Sequence, residues 1–142
     1  MVDEYIIDYD EYAGLGSGSI GFLGGKCYAN TFNISDYIAR LANDEIPLMA
    51  MRTFNVGDQI RYDFLMKLFG MRLVTHSLRE KYGMNAMRYW LSDAFLFGLI
   101  GAIRYRKGTI SLTEKGRYWW VVMMREFFTA VNNFRDFCLN RK

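Results

Sequence analysis

The sequence predicts an α+β fold, mainly helical, for a chain of 142 residues. Three observations carry that prediction. A glycine-dense stretch with short strand-like runs stands near the start, apolar residues take up helical spacing from Asp58 onward, and a Lys107-Gly108 turn precedes a long apolar helix. The length suits one domain with a sizeable core rather than two ordinary ones.

Along the chain, residues 5–10 read as an extended lead-in, and 12–15, 19–23 and 26–29 as short strands. Gly24-Gly25 is a hairpin signal between the last two. The run Gly14-Leu15-Gly16-Ser17-Gly18-Ser19 is poor in side chains, so its backbone can come close to a ligand or a neighbouring strand. Lying just after Tyr12-Ala13, it reads as a strand end running into a phosphate- or cofactor-type loop. Asn33-Ile34-Ser35-Asp36 offers caps for a helix through Ala42, with Tyr37, Ile38 and Leu41 at helical spacing. Pro47 opens an extended crossing to Thr53. Ile60, Phe64, Leu65, Leu68 and Phe69 then share one face of a helix reaching about Met71. Thr75 or Ser77 caps a short helix that Gly83 ends, and Asn85 starts a longer one carrying Trp90, Leu91, Ala94, Phe95 and Leu99. Residues 102–106 and 109–112 form a hairpin around a type I′ turn at Lys107-Gly108. Three helices followed by a hairpin make a winged-helix-like pattern. Thr113 caps a final helix running towards Asn140.

Composition bounds the function. Apolar residues are 51% of the chain and aromatic residues 17%, so either the core is unusually aromatic or some of the surface is covered by other protein. The final helix sharpens that choice. Trp120, Met124, Phe127, Val131, Phe134 and Cys138 form one stripe, widened by Trp119, Met123 and Phe128. Internal core and a docking surface for a second domain or subunit both account for it. No apolar run approaches the roughly 18 residues that span a bilayer. The acidic Met1-Val2-Asp3-Glu4 is unlike a signal or transit peptide, so a cytoplasmic protein is expected. Cys27 and Cys138 match no ligand or disulfide spacing and are expected reduced and buried. The net charge of +3 is too modest to argue for nucleic acid by itself. An acidic group (Asp3, Glu4, Asp8, Asp10, Glu11) and a basic one (Arg104, Arg106, Lys107, Lys115, Arg117) read as solvated surface.

Reaction chemistry is sparse. A metal site needs several converging ligands, and the chain has one histidine and two distant cysteines. His76, between Thr75 and Ser77, reads as a surface or capping residue. No nucleophile–histidine arrangement is supported, and Asp8 with Asp10 lies in expected coil. No Gly-Lys-Ser/Thr follows the glycine loop, and no clear helix does, which argues against nucleotide loops of the usual kinds. On its own chemistry the chain does not look like a complete enzyme.

Three signatures nevertheless carry a resemblance. Gly14-Leu15-Gly16-Ser17-Gly18-Ser19-Ile20, followed by Tyr28-Ala29-Asn30, resembles the last barrel strand and loop of the oxygen-independent coproporphyrinogen III oxidase family, radical S-adenosylmethionine enzymes of haem metabolism. Ile60-Arg61-Tyr62-Asp63 with Lys67-Leu68-Phe69-Gly70-Met71-Arg72-Leu73 resembles the helix that opens the family's C-terminal domain. Ile110-Ser111-Leu112-Thr113-Glu114-Lys115-Gly116-Arg117 resembles its hairpin-to-helix closure. The match runs from about Tyr12 to about Phe128.

The resemblance implies a C-terminal portion of such a protein. Residues 1–31 would be the last strand of a partial triosephosphate-isomerase-type barrel with its glycine loop and hairpin; residues 32–142 would be a winged-helix-like lid domain with hairpin 102–112. The family's Cys-x3-Cys-x2-Cys motif, which holds a 4Fe–4S cluster and S-adenosylmethionine, is absent from this sequence, so the portion by itself is expected to hold neither and to be inactive. Gly18, Ser19 and Ile20 match the family loop beside S-adenosylmethionine. Arg104, Arg106 and Arg117, with Lys107, are candidates to meet the propionates of a tetrapyrrole by charge-assisted hydrogen bonds. The implied partners are the remaining barrel and that tetrapyrrole, with no membrane. Two other readings stand beside this one. The first is a winged-helix nucleic-acid binder reading through 85–99, whose outward Arg88, Ser92 and Asp93 suit that role poorly. The second is an interaction module using Trp119, Trp120, Met123 and Phe127.

Overall fold

A computed structural model describes residues 11–140, and the lead-in at 5–10 and most of the acidic group lie outside them. The described residues hold five α-helices and two three-stranded antiparallel sheets, divided between two compact units. One unit is 55–125; the other is 11–54 together with the chain from Glu126. The extended crossing after Pro47 joins the N-terminal hairpin as a third strand.

In the first-mentioned unit, Asn55 accepts a hydrogen bond from the Asp58 amide at 2.9 Å and so caps α2 (Val56–Phe69); α1 (Ile34–Ala42) belongs to the other unit. Ile60, Phe64 and Leu68, four residues apart, are buried along one face. Gly70 ends the helix and Met71 turns the chain at φ 66° into β4 (Arg72–Val74). Then come α3 (Thr75–Tyr82), one 3₁₀ turn (Met84–Ala86), α4 (Met87–Leu99), β5 (Ile103–Arg106) and β6 (Thr109–Leu112). The sheet order is β4-β6-β5, with Ile110 paired to both Leu73 and Tyr105. Lys107 and Gly108 have φ of 47° and 77°, the left-handed pair a type I′ turn requires. Phe64 stacks on Trp90 at 5.5 Å between ring centres, and Trp120 meets Phe69 edge-on at 5.0 Å.

The other unit is a meander of β1 (Ile20–Leu23), β2 (Lys26–Asn30) and β3 (Leu48–Thr53), followed through Asn33 by α1 (Ile34–Ala42) between β2 and β3. Asn33 accepts from the Asp36 amide, as the capping pattern anticipates. Gly24 and Gly25, at φ 56° and 70°, make the two-residue turn. Phe22 packs on Phe54, and Phe32 meets Phe134 of the last helix, α5 (Glu114–Leu139).

Several expectations need correction. Residues 12–15 are not a strand: Tyr12 makes one bridge to Phe22, and Leu15 stands 86% exposed. Neither Thr75 nor Ser77 caps α3, since the Thr75 hydroxyl donates to the Gly108 carbonyl and that of Ser77 to Val74. Asn85 sits inside the 3₁₀ turn, and α4 begins two residues later without a side-chain cap. Strand β4 was not anticipated. Cys27 and Cys138 are half-buried rather than buried. Of the apolar stripe on α5, Trp120 is buried, whereas Trp119, Phe127, Phe128 and Phe134 remain exposed. No helix among the described residues is long and apolar enough to cross a membrane.

Two contacts fix the packing of the first unit. Asp63, 3% exposed, accepts from Lys81 Nζ at 2.8 Å and from the Tyr82 hydroxyl at 2.7 Å, tying α2 to α3. Gly116 lies so close to the Ala102 carbonyl that a Cβ would collide with it. An unhindered helical Gly→Ala change gains about 1 kcal/mol; here Gly116→Ala is expected to cost about 1–3 kcal/mol, read by urea denaturation, because the clash is with backbone. A stabilised variant would refute the contact. Burial, then Asp63, pushes the Tyr82 hydroxyl up to about 12. Since this lies above the ordinary value near 10, the stabilisation is complete below pH ~10 and is lost as pH rises to about 12. Tyr82→Phe should therefore lose less stability than wild type across that window; parallel curves would count against the assignment.

Candidate functional site

The glycine loop is knitted into its own unit. Gly21 faces Tyr28 across the β1–β2 pair, and the Tyr28 ring occupies the space a Cβ on Gly21 would need. The hydroxyl of that ring accepts the Gly14 amide at 2.9 Å, and a Cβ on Gly14 would strike the Ile20 carbonyl. Gly18, at φ 72°, lies against the Phe32 ring. Three further loop amides are occupied as well. Gly16 donates to the Tyr37 hydroxyl at 3.0 Å, Gly18 to the Thr31 carbonyl at 2.8 Å, and Ser19 to the Gly16 carbonyl at 3.3 Å.

Asn30 organises this arrangement. It is 5% exposed, and its Nδ2 lies 3.2 Å from both the Gly14 and Gly16 carbonyls and 3.0 Å from Ser19 Oγ. The register of β2 on β3 shifts between Ala29 and Asn30, so these consecutive residues are both buried. A phosphate cradle needs several amides converging on empty space. In this loop the amides of Gly14, Gly16, Gly18 and Ser19 already have acceptors. Ile20 is half-buried at the start of β1, and Gly18 is half-buried against the Phe32 ring. Sequence reasoning missed the organising role of Asn30. Its signal was a carboxamide ending a strand beside a glycine-rich loop.

The candidate arginines belong to the unit 55–125. Arg104 and Arg106 alternate with Ile103 and Tyr105 along β5, so the strand separates them by face. Ile103 and Tyr105 line a groove of about 810 Å³ formed by α3, the 3₁₀ turn, α4 and the hairpin, and Lys107 joins them there. Arg104 and Arg106 are exposed and do not line it. Arg117 is exposed in the first turns of α5. Met84, Met87, Leu91 and Phe95 line it too, with His76 and Arg79, and the buried Trp90 and Ile110 are also part of its lining. None of its lining residues is acidic.

Among the described residues, no three His, Cys, Asp or Glu side chains converge on a possible metal position. The described residues therefore do not fit an iron–sulfur cluster. Burial pushes the Cys27 thiol up, so Cys27 is a protonated packing residue near neutral pH. His76 is exposed, with Nδ1 3.3 Å from the Glu80 carboxylate, a surface pair on one helix.

No family model matches the chain, and no curated protein matches it. A solved structure does: coproporphyrinogen III oxidase (HemN) from Escherichia coli, described as a radical SAM enzyme, with a TM-score of 0.58 and 21% sequence identity. The likeness covers 75% of this chain and 26% of that one, so the chain spans about a quarter of the enzyme's length. Over three quarters of its own length, the chain shares the fold of part of coproporphyrinogen III oxidase.

Proposed function

We propose that the chain is the C-terminal portion of a radical S-adenosylmethionine protein of the coproporphyrinogen oxidase kind, acting in haem metabolism. In this reading residues 1–31 carry the last barrel strand and glycine loop, and 32–142 form the lid that helps enclose a tetrapyrrole. The observation that carries it is the shared fold over 75% of the chain, found where three sequence motifs had already pointed to the same family. The run α2, β4, α3, α4, β5, β6, with β6 central in its sheet, supports the winged-helix description of the lid. The loop 14–19 and Ile20 supply a packing edge for S-adenosylmethionine, held in shape by Asn30. Arg104 and Arg106, on one face of β5, supply charge for propionates. The cluster is held by other residues of the parent protein, since this sequence lacks the cysteine motif.

The alternative is a module without catalysis. A nucleic-acid role finds little support in α4, whose exposed hydrogen-bonding Arg88 and Ser92 stand beside exposed apolar Met87, Leu91 and Phe95. A protein-interaction role is favoured by that same ridge and by exposed Trp119, Met123 and Phe127 on α5.

The test uses the protein expressed from its complete gene and reconstituted without oxygen. It should retain iron and bind S-adenosylmethionine. Ile20→Asp should weaken S-adenosylmethionine binding about tenfold, a loss of about 1.4 kcal/mol, with coproporphyrinogen affinity kept. Arg104→Ala with Arg106→Ala should do the reverse. A protein that retains no iron and binds neither ligand overturns the reading; variants that change neither affinity overturn the residue assignments.

A further inference from the structure

We propose that the groove between α3–α4 and the β5–β6 hairpin is a docking site for an acidic amphipathic helix of a partner protein. The inference goes beyond the enzyme reading and does not depend on it. Its first support is shape. Met87, Leu91 and Phe95 recur every four residues and are 54%, 50% and 68% exposed, and Met84 extends the row at 69%. From Met87 to Phe95 this ridge runs about 12 Å at 1.5 Å per residue, two helical turns. Facing it across the groove are Ile103 and Tyr105 from one face of β5. Small-molecule sites bury most of their ligand in a concavity. A wall whose apolar residues stand half exposed or more is a trough, which suits the ridge of a second helix. The two methionines add an adaptable surface.

Charge selects the occupant. The ionisable side chains lining the groove are His76, Arg79, Tyr105 and Lys107, and no carboxylate is among them. His76 already faces Glu80. Among the described residues Arg79 has only the Met84 thioether as partner, at 2.6 Å from Nε, and Lys107 has no ion-pair partner. Lys107 projects from a stiff two-residue turn, so its position is set by the hairpin. A helix with leucines or similar residues along one stripe and carboxylates beside it meets both features at once. A basic helix meets uncompensated cations, and a duplex meets an apolar ridge.

The test titrates the full chain with a fluorescein-labelled, end-capped 16-residue helical peptide. The peptide carries Leu at i, i+3, i+4 and i+7 and Glu at the flanking positions. Its twin with Lys for every Glu, laurate, and a 20-base-pair DNA duplex serve as comparisons, all read by anisotropy or competition. The Glu peptide should bind saturably and at least about tenfold more tightly than the Lys twin. Leu91→Glu and Phe95→Glu, both at exposed positions, should each weaken it about tenfold. Lys107→Glu should weaken it about threefold and flatten its salt dependence. Phe128→Glu, on an exposed part of α5, should leave it unchanged. Far-UV circular dichroism and melting confirm that each variant is folded. Equal binding of the two peptides overturns the proposal. So does a loss on Phe128→Glu that matches Leu91→Glu, or binding of laurate or duplex in place of the Glu peptide.

Discussion

The last helix depends on one missing side chain. Between Leu112 of β6 and Glu114 of α5 there is a single residue, Thr113, whose amide donates to the Ala102 carbonyl at 3.0 Å. Its hydroxyl accepts the Gly116 amide at 3.0 Å and lies 2.7 Å from the Gly101 carbonyl. The helix can leave the strand in that direction only because Gly116 has no Cβ to meet Ala102. Four residues later Trp120 enters the core beside Phe69. Strand β6 is itself central in its sheet and buries Ile110. A change at Gly116 therefore acts on the sheet, the core and the helix together.

The glycines of the N-terminal loop make a different point. Sequence cannot distinguish a glycine that admits a ligand from one that admits the protein's own backbone or rings. Gly14 and Gly21 are of the second kind, making room for the Ile20 carbonyl and the Tyr28 ring. The loop's hydrogen bonds are likewise turned inward, to Tyr28, Asn30, Thr31 and Tyr37. Asn30, bonded to the Gly14 and Gly16 carbonyls and to Ser19, is the side chain that ties the two ends of the loop together.

Local chemistry was legible in the sequence, and distant pairing was not. Both hairpins were readable because a two-residue turn with left-handed dihedrals demands residues such as Gly24-Gly25 and Lys107-Gly108. The caps at Asn33, Asn55 and Thr113 act within three residues; the first and last were legible, and Asn55 passed unnoticed three residues before Asp58. Strand β4 is three residues long and gains its meaning from Ile110, far along the chain. Thr75 looked like a cap and instead binds Gly108, again across the sheet. Among site residues the charges on β5 were visible, but which face each takes was not, since one residue of register reverses it.

That reversal matters for function. Arg104 and Arg106 occupy one face of β5, while Ile103 and Tyr105 occupy the groove face, with Lys107 at the turn. A single strand thus presents a cationic edge to one side and an apolar wall to the other. A ligand recognised by the arginines has no need of the groove, and a helix seated in the groove makes no demand on the arginines. The order of helices and strands imposes neither role. On α4, Met87, Leu91 and Phe95 line the groove, while the exposed Arg88 and Ser92 lie outside it, so the side of the helix turned to the groove is the apolar one.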